Sequence, residues 1–160
     1  MVERLRAAIC GAGIVLLCSS LAIARSESRG IQSGYRISIV GAASMYNPYQ
    51  PGYREGGIET ASGERYDPSA WAAAIQTDLR EKFGGVRRGR TAGYALVEGV
   101  NKKVIVKIND VGPLKPGRII DFGERTMRYF DPSLRVGVIH NVKVTPLTGD
   151  DWVPGPIAER

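Results

Sequence analysis

The sequence has no hydrophobic run long enough to cross a membrane comfortably, which takes about 20 residues. Its most apolar stretch, Ile9 to Leu21, is shorter and follows the basic residues Arg4 and Arg6. The stretch leads into a small-x-small sequence that ends at Ala24. These features are typical of a secretory signal peptide. We therefore expect signal peptidase I to remove residues 1–24, and we expect an exported protein of the periplasm or cell envelope.

Cysteine and histidine are scarce. The two cysteines, Cys10 and Cys18, lie inside the expected signal peptide, and the single histidine is His140. The mature chain is therefore expected to have no disulfide and no thiol chemistry. With so few ligands for zinc or other transition metals, we expect no metal site, and we expect no cofactor. Lipid attachment at Cys18 is the alternative to cleavage after Ala24, but Leu17 is larger than the residue that normally precedes a lipid-modified cysteine.

Acidic residues are fewer than basic ones, and the net charge is +6. Loss of residues 1–24 would remove one net positive charge, because that segment contains Arg4, Arg6 and Glu3. A moderately basic surface suits an anionic partner such as the cell wall or an acidic membrane face. Export argues against nucleic acid, and the sequence shows no basic helix or RNA-binding aromatic signature. We expect no nucleic-acid partner.

The chain after residue 24 is long enough for one domain with its own core and too short for two. Residues 25–34 are mostly polar and contain glycines, which indicates a flexible leader. Residues 35–147 are predicted to form the folded domain. The segment 148–160 contains Pro154 and Pro156, and we expect an extended tail that either covers the domain or is disordered.

Short segments rich in β-branched residues dominate the expected domain. They predict strands near residues 37–46, 94–98, 103–108, 119–120 and 142–145. Apolar residues at helical spacing predict a helix over Ser69–Leu79, and a second helix is predicted over Glu124–Phe130. Many short strands with two short helices indicate a small β-barrel with helical insertions.

Four segments occur in an order and spacing that point to one known family. They are Gly41 to Tyr46, Thr60 to Asp67, Val106 to Pro113 and Gly117 to Asp121. Together they resemble the rare lipoprotein A-like double-psi β-barrel family, over most of the mature chain. The resemblance implies a mainly β fold, a six-stranded double-psi β-barrel with two short helices. Enzymatically active members are lytic transglycosylases, so it also implies cleavage of peptidoglycan glycan strands with formation of 1,6-anhydro-muramic ends.

Asp110 is the candidate catalytic residue, and the residues before it give an independent reason. Val104, Val106, Ile108 and Asp110 alternate along one strand face that is apolar until its last position. Desolvation at the end of a buried face favours the neutral acid. A protonated carboxyl can donate its proton to a glycosidic oxygen, and its conjugate base can then accept one. The alternative is that Asp110 only hydrogen-bonds the turn at Gly112.

Thr60, Ser62, Glu64 and Tyr66 are candidates for binding the substrate. They alternate, so in an extended segment their side chains would share one face and line a glycan groove. Glu64 would then be a second carboxyl of the kind that glycoside cleavage often uses. The alternative is a polar turn around Gly63 with its side chains in solvent.

The remaining candidates are two cations, a carboxylate and an aromatic residue. Lys107 and Arg118 are predicted to hold acetamido or carboxyl groups of the substrate, although exposed cations often only contribute to solubility. Asp121 is expected to have a structural role, orienting the barrel or capping the following helix. Tyr46, like Tyr66, either stacks on sugar rings or belongs to the core.

The sequence departs from the active members of the family at two positions. Ile75 stands where they have a histidine thought to assist the aspartate, and Val111 stands where an arginine is usual. His140 does not match the missing histidine and is expected on the surface. Three hypotheses follow: a lytic transglycosylase, a non-catalytic expansin-like barrel that binds peptidoglycan, and a protein peripherally associated with envelope or septal proteins, for which the proline-rich tail would be a docking segment.

Overall fold

The computed structural model describes residues 37–52, 57–89 and 93–158. The expected signal peptide, residues 1–24, and the expected leader, residues 25–34, lie outside the described residues. Among the helices of the described ranges, none is both long and apolar enough to cross a membrane.

Strands dominate the described chain. They are β1 (Ile39–Met45), β2 (Ala72–Gln76), β3 (Gly93–Gly99), β4 (Lys102–Gly112), β5 (Arg118–Phe122), β6 (Val138–Leu147) and the two-residue β7 (Gly155–Pro156). A 3₁₀ helix covers Thr77–Phe83, and an α-helix, α1, covers Glu124–Phe130. The prediction of a mainly β fold with two short helices is confirmed.

Six of the strands close into a barrel. The hydrogen-bonded order is β2-β5-β1-β6-β3-β4, and a further pairing between β2 and β4 joins the two ends. The pairs β1–β5 and β2–β4 are parallel, whereas the other barrel pairs are antiparallel. The closed, mixed sheet is the six-stranded double-psi barrel that the resemblance implies. Closure leaves the six strands without a free edge along most of their length.

The barrel interior is filled by alternate side chains of the strands. In β4 the inward residues are Val104, Val106 and Ile108, each fully buried, as the period-2 pattern predicts. Phe122 of β5 and Phe130 of α1 stack in the same core with ring centroids 5.2 Å apart. Because these three residues point inward, the residues that alternate with them in β4 lie on the outer face of the barrel.

The predicted helix over Ser69–Leu79 is wrong. Its central part, Ala72–Gln76, is the strand β2, and the helical turns begin only at Thr77. The strand lies between β4 and β5 and is buried at its first four positions. A short apolar run buried on both faces has no polar alternation, so its spacing does not distinguish a strand from a helix. The second predicted helix, Glu124–Phe130, is confirmed as α1.

The tail adds a short strand to the outside of the barrel. Gly155 and Pro156 of β7 pair with Ile105 and Val104 of β4, and the Ile157 N–H donates to the Lys103 carbonyl at 3.0 Å. These bonds hold this part of the tail, predicted as an extended cover or a disordered end, in an extended conformation against the domain.

Candidate active site in the Asp110 groove

A groove of about 470 Å³ lies where the ends of β2, β4 and β5 meet. Its walls come from these strands, from the end of β1 and from the loop after β4. The lining residues are Tyr46, Gly57, Ala74, Asp110, Val111, Gly112, Pro113, Leu114, Lys115, Arg118 and Asp121. Two carboxyls and two cations therefore face one concave surface that is otherwise largely apolar, which is the usual composition of a ligand site.

Asp110 lies in the wall of this groove, half-buried at the end of β4. Its Oδ1 accepts the backbone N–H of Ala61 at 2.8 Å and that of Val111 at 2.9 Å. Burial raises the pKa of the Asp110 carboxyl above its ordinary value, and these two bonds and a hydrogen bond with the Tyr46 side chain oppose the rise without cancelling it. The environment favours the neutral acid that the strand pattern predicts.

A second carboxyl, Asp121, lines the same groove. In the barrel, Ala74 of β2 pairs with Asp110 of β4 on one side and with Asp121 of β5 on the other. The buried Ser44 hydroxyl of β1 donates to Asp121 Oδ1. The expectation that Asp121 caps the following helix is wrong, because the N-cap of α1 is Gly123. The sequence pattern missed its place in the groove.

The segment from Thr60 to Glu64 forms a tight turn, so the extended arrangement on which a shared face depended is not present. The Gly63 N–H donates to the Thr60 carbonyl at 2.9 Å, and the Thr60 N–H donates to that of Glu64 at 2.8 Å. The Thr60 hydroxyl is within hydrogen-bond distance of Ser62 Oγ. Neither Thr60 nor Ser62 is among the described residues that line the Asp110 groove or the adjacent cavity that Glu64 and Lys107 line. Instead, the turn supplies the Ala61 N–H to Asp110.

Glu64 and Lys107 face a neighbouring cavity of about 300 Å³, and Tyr46 borders both cavities. The Lys107 ammonium pairs with Glu64 Oε1, and Asn109 Nδ2 donates to Glu64 Oε2 at 3.0 Å. Partial burial alone would raise the pKa of Glu64, but these hydrogen bonds and the charge of Lys107 together lower it. The surroundings therefore shift the pKa values of the two carboxyls in opposite directions, down for Glu64 and up for Asp110.

The two tyrosines of the prediction form a buried pair beside the cavities. The rings of Tyr46 and Tyr66 meet edge to face with centroids 5.0 Å apart, and the Tyr66 hydroxyl donates to the Tyr46 carbonyl at 3.1 Å. Burial raises the pKa of Tyr66. Tyr46 is 6% exposed and Tyr66 is 5% exposed, so both residues contribute to packing as well as to the cavity walls.

Arg118 lies between two depressions. It lines the Asp110 groove and also a third cavity of about 460 Å³, which His140 lines from β6. His140 is exposed, as the sequence predicts. The structure therefore places Arg118 with Asp110 and separates Lys107 from them.

The two departures from the family lie in different environments. Ile75 is fully buried in the core, on the face of β2 opposite Ala74 and the groove. Val111 lines the groove beside Asp110. None of the described residues that line the groove is a histidine, and the described residues hold no group of three or more histidines, cysteines or carboxylates that would bind a metal ion.

Comparisons with known proteins agree with this architecture. Residues 38–144 match the family model described as lytic transglycolase. A protein of Nostoc sp. named "probable endolytic peptidoglycan transglycosylase RlpA" is 35% identical over 69% of this chain and 26% of its own length. A Synechocystis sp. protein of the same name is 33% identical over 79% of this chain and 35% of its own length. The endolytic peptidoglycan transglycosylase RlpA of Yersinia pestis is 30% identical over 72% of this chain and 27% of its own length.

The chain thus spans about a quarter to a third of the length of these relatives. Among solved structures, the Streptomyces papain inhibitor is similar in fold, with a TM-score of 0.52 at 17% identity, covering 70% of this chain and 96% of the inhibitor. At that identity the likeness concerns the fold alone. The family match and the identities of the curated relatives establish that this chain belongs to the RlpA-like double-psi β-barrel family of lytic transglycosylases.

Proposed function

We propose that this protein cleaves peptidoglycan glycan strands as a lytic transglycosylase, with Asp110 as the catalytic acid. The observation that carries the proposal is the half-buried Asp110 carboxyl in the wall of an open groove, in surroundings that raise its pKa. An acid of this kind can stay protonated until it meets a glycosidic oxygen. Family membership supports the same reaction class.

Two hydrogen bonds of Asp110 support Oδ2 as the oxygen that carries the proton. Both backbone donors, the N–H groups of Ala61 and Val111, bond to Oδ1. An oxygen that already accepts two hydrogen bonds is a poor carrier of the proton, so Oδ2 carries it. Transfer of that proton to the leaving oxygen breaks the glycosidic bond, and positive charge develops at C1 of the muramic residue. The C6 hydroxyl of the same residue then closes the 1,6-anhydro ring.

Glu64 contributes negative charge next to the groove. Lys107 and Asn109 bind Glu64 and lower its pKa from the ordinary value, whereas burial raises the pKa of Asp110. A fixed negative charge favours the oxocarbenium-like centre over the neutral ground state. Glu64 also lines the neighbouring cavity, which Tyr46 separates from the Asp110 groove. In that cavity it provides contacts for a sugar further along the glycan strand.

A peptidoglycan-binding barrel without catalysis is the second candidate. The observation that favours it is Val111, an apolar residue in the groove wall at the position where the family resemblance implies an arginine. The wall beside Asp110 therefore has an apolar side chain where the resemblance implies a charged one. Such a module would hold glycan strands in the groove and leave them intact.

The two candidates differ in their products. Purified protein is incubated with peptidoglycan, and the soluble products are analysed by mass spectrometry alongside those of Asp110→Asn. We expect 1,6-anhydro-muramic ends with the wild type and a loss of at least about 100-fold in their release with Asp110→Asn, because the acid is removed. Folded wild-type protein that pellets with sacculi and releases no anhydro ends would establish the binding barrel instead.

Export is part of the proposal, since peptidoglycan lies outside the cytoplasmic membrane. We expect cleavage after Ala24 by signal peptidase I, which the intact mass of protein recovered from the cell envelope would show. A mass that includes a diacylglyceryl group on Cys18 would show lipid anchoring instead. Peripheral association with envelope or septal proteins belongs to the same proposal.

A further inference from the structure

We propose that the tail completes a second sugar-binding site, in which Trp71 and Pro154 contact one N-acetylhexosamine unit of the glycan strand. The site is the cavity of about 300 Å³ that Glu64 and Lys107 face, here termed the Glu64 cavity. The inference rests on the proposed action on glycan strands. It adds the residues that bind a sugar outside the Asp110 groove.

The tail occupies the part of the β4 edge that β2 leaves free. β3 pairs along one edge of β4, and β2 pairs along the other edge only from Lys107 onward. β7 pairs with β4 just before that point, and the Ile157 N–H donates to the Lys103 carbonyl at 3.0 Å. The tail therefore lies beside the start of β2, which Trp71 immediately precedes.

Two tail residues meet the Glu64 cavity at Trp71. Pro154 lines the cavity together with Trp71. Gly155 lies against the indole, because a Cβ atom at that position would be 3.8 Å from Trp71 Nε1. The backbone φ of Gly155 is +149°, a conformation that glycine adopts more readily than other residues do. The tail therefore forms one wall of the cavity, and the glycine lets the chain pass close to the ring.

Trp71 is fixed in position by the domain. The Arg125 guanidinium lies over its ring, 4.5 Å from the centroid, and Arg125 Nη1 donates to the Ser69 carbonyl at 2.7 Å. The Tyr129 ring meets the indole edge to face, with centroids 5.7 Å apart. A side chain that packing already holds loses little conformational entropy when a ligand binds. Trp71 is therefore a rigid apolar contact for a ligand in the cavity.

The lining of the Glu64 cavity combines apolar rings with groups that form hydrogen bonds. The residues that supply them are Tyr66, Trp71, Pro154, Glu64, Lys107 and Asn109. A hexosamine has C–H groups on its ring faces and hydroxyl and acetamido groups at its edge, so it uses both kinds of surface. Small-ligand sites have volumes of about 300–1,000 Å³, so this cavity suits a single sugar unit. Tyr46 borders both this cavity and the Asp110 groove, so one strand can occupy both.

The two tryptophans of the chain provide a direct test, since Trp71 lines the cavity and Trp152 is on the tail. Trp152→Phe leaves Trp71 as the only tryptophan, and its fluorescence is titrated with chitotetraose, a tetramer of N-acetylglucosamine. We expect a saturable change. In this background, Ile157→Pro removes the N–H that donates to Lys103, whereas the control Ile157→Ala loses the side chain and keeps the N–H. We expect a Kd at least about 5-fold higher for Ile157→Pro than for Ile157→Ala, because the tail is released.

Thermal unfolding identifies any variant that is not folded. The six barrel strands close without β7, so we expect Ile157→Pro and Ile157→Ala to melt within a few degrees of each other. Should Ile157→Pro fail to fold, Pro154→Ala removes only the wall contact, and we expect its Kd to be about 3-fold higher than that of the unsubstituted tail. Folded Ile157→Pro that binds chitotetraose as tightly as Ile157→Ala would overturn the inference.

Release of 1,6-anhydro-muramic ends from peptidoglycan separates this inference from the proposed function. None of the described tail residues lines the Asp110 groove, so we expect Ile157→Pro to raise KM several-fold and to keep kcat within about 2-fold. An active wild type with no response of Trp71 to chitotetraose would overturn the sugar site alone. A wild type that releases no anhydro ends would overturn the proposed function, and a Trp71 response would then assign the site to a glycan-binding barrel. Failure of both measurements would overturn both.

Discussion

The carboxyl of Asp110 should make the stability of the domain depend on pH. Its folded-state pKa is raised above the ordinary value of 3.8, so the native state binds this proton more tightly than the unfolded chain does. The associated stability is fully present below pH 3.8 and is lost as the pH rises through the folded-state pKa. Asp110→Asn cannot ionise, and its Oδ1 can keep both backbone N–H bonds. We expect the difference in melting temperature, Asp110→Asn minus wild type, to be several degrees larger at pH 7 than at pH 3.

Melting curves at both pH values check this prediction, with Asp150→Asn as the matched control at an exposed carboxyl. A variant that is much less stable than the wild type at pH 7 would indicate that Asp110 serves the turn at Gly112 more than it serves catalysis. That result would favour the alternative from the sequence, in which Asp110 only hydrogen-bonds the turn.

The buried side chain of Asn109 lowers the stability of the domain at this site. Its Oδ1 is buried and has no hydrogen-bond partner among the described residues, while its Nδ2 holds Glu64. An unsatisfied buried acceptor costs about 1–3 kcal/mol. The orientation of Glu64 is therefore obtained at the expense of stability, as is common where side chains are held for function.

The sequence predicts one of the two groove carboxyls and not the other. Asp110 is found because it ends the apolar face of its own strand, a local pattern. Asp121 enters the groove through its pairing with Ala74, which is 47 residues away in sequence, and a single strand pattern does not contain that register. Thr60 and Ser62 mislead for the opposite reason, since their alternation is cancelled by a turn at Gly63, where the backbone φ is +89°.

At the level of elements, β2 explains most of the difference between expectation and structure. Its residues include three alanines, which favour helix, and one isoleucine, which favours strand, so the local sequence does not predict a strand here. The pairings on both sides, with β4 and β5, decide in favour of the strand. The apolar alternation of β4 is a local signal, and so is the position of α1 between Gly123 and the Asp131-Pro132 pair, so the sequence predicts both elements.

The start of β3 depends on a glycine. A Cβ atom on Gly93 would lie 2.2 Å from the backbone oxygen of Phe83, at the end of the 3₁₀ helix. Backbone cannot move away as a flexible side chain does, so we expect Gly93→Ala to lower the free energy of unfolding by about 2–3 kcal/mol. Urea or thermal unfolding measures the change.

Gly112→Ala, at the C-terminal end of the neighbouring strand β4, is the matched control for stability. Its Cβ would lie 3.8 Å from the Leu114 side chain, an ordinary contact. A Gly93→Ala protein as stable as this control would show that the 3₁₀ helix does not pack on β3 as described.

For the molecule as a whole, the excess of positive charge should govern its attachment to the wall. The net charge is +6 for the full sequence and +5 (6 − 1) after the expected loss of residues 1–24, and it attracts an anionic polymer over a distance set by the ionic strength. We expect the fraction that pellets with sacculi to fall several-fold between about 50 mM and 500 mM NaCl, because salt shortens that distance from about 14 Å to about 4 Å. Uncharged chitin is the control, and equal loss from chitin would assign the salt effect to the groove instead of the net charge.

The pairing of β1 with strands that are distant in the sequence also affects how the chain folds. β1, the first strand, has as its neighbours β5 and β6, and the register joins Ala42 to Arg118 and Ile39 to Val144. Pairings between such distant segments require large loops to close, which slows folding. During synthesis, β1 has neither partner until the chain has been made at least as far as β5, which begins at Arg118. The nascent chain therefore keeps β1 unpaired, and available to chaperones, while the residues between β1 and β5 are made.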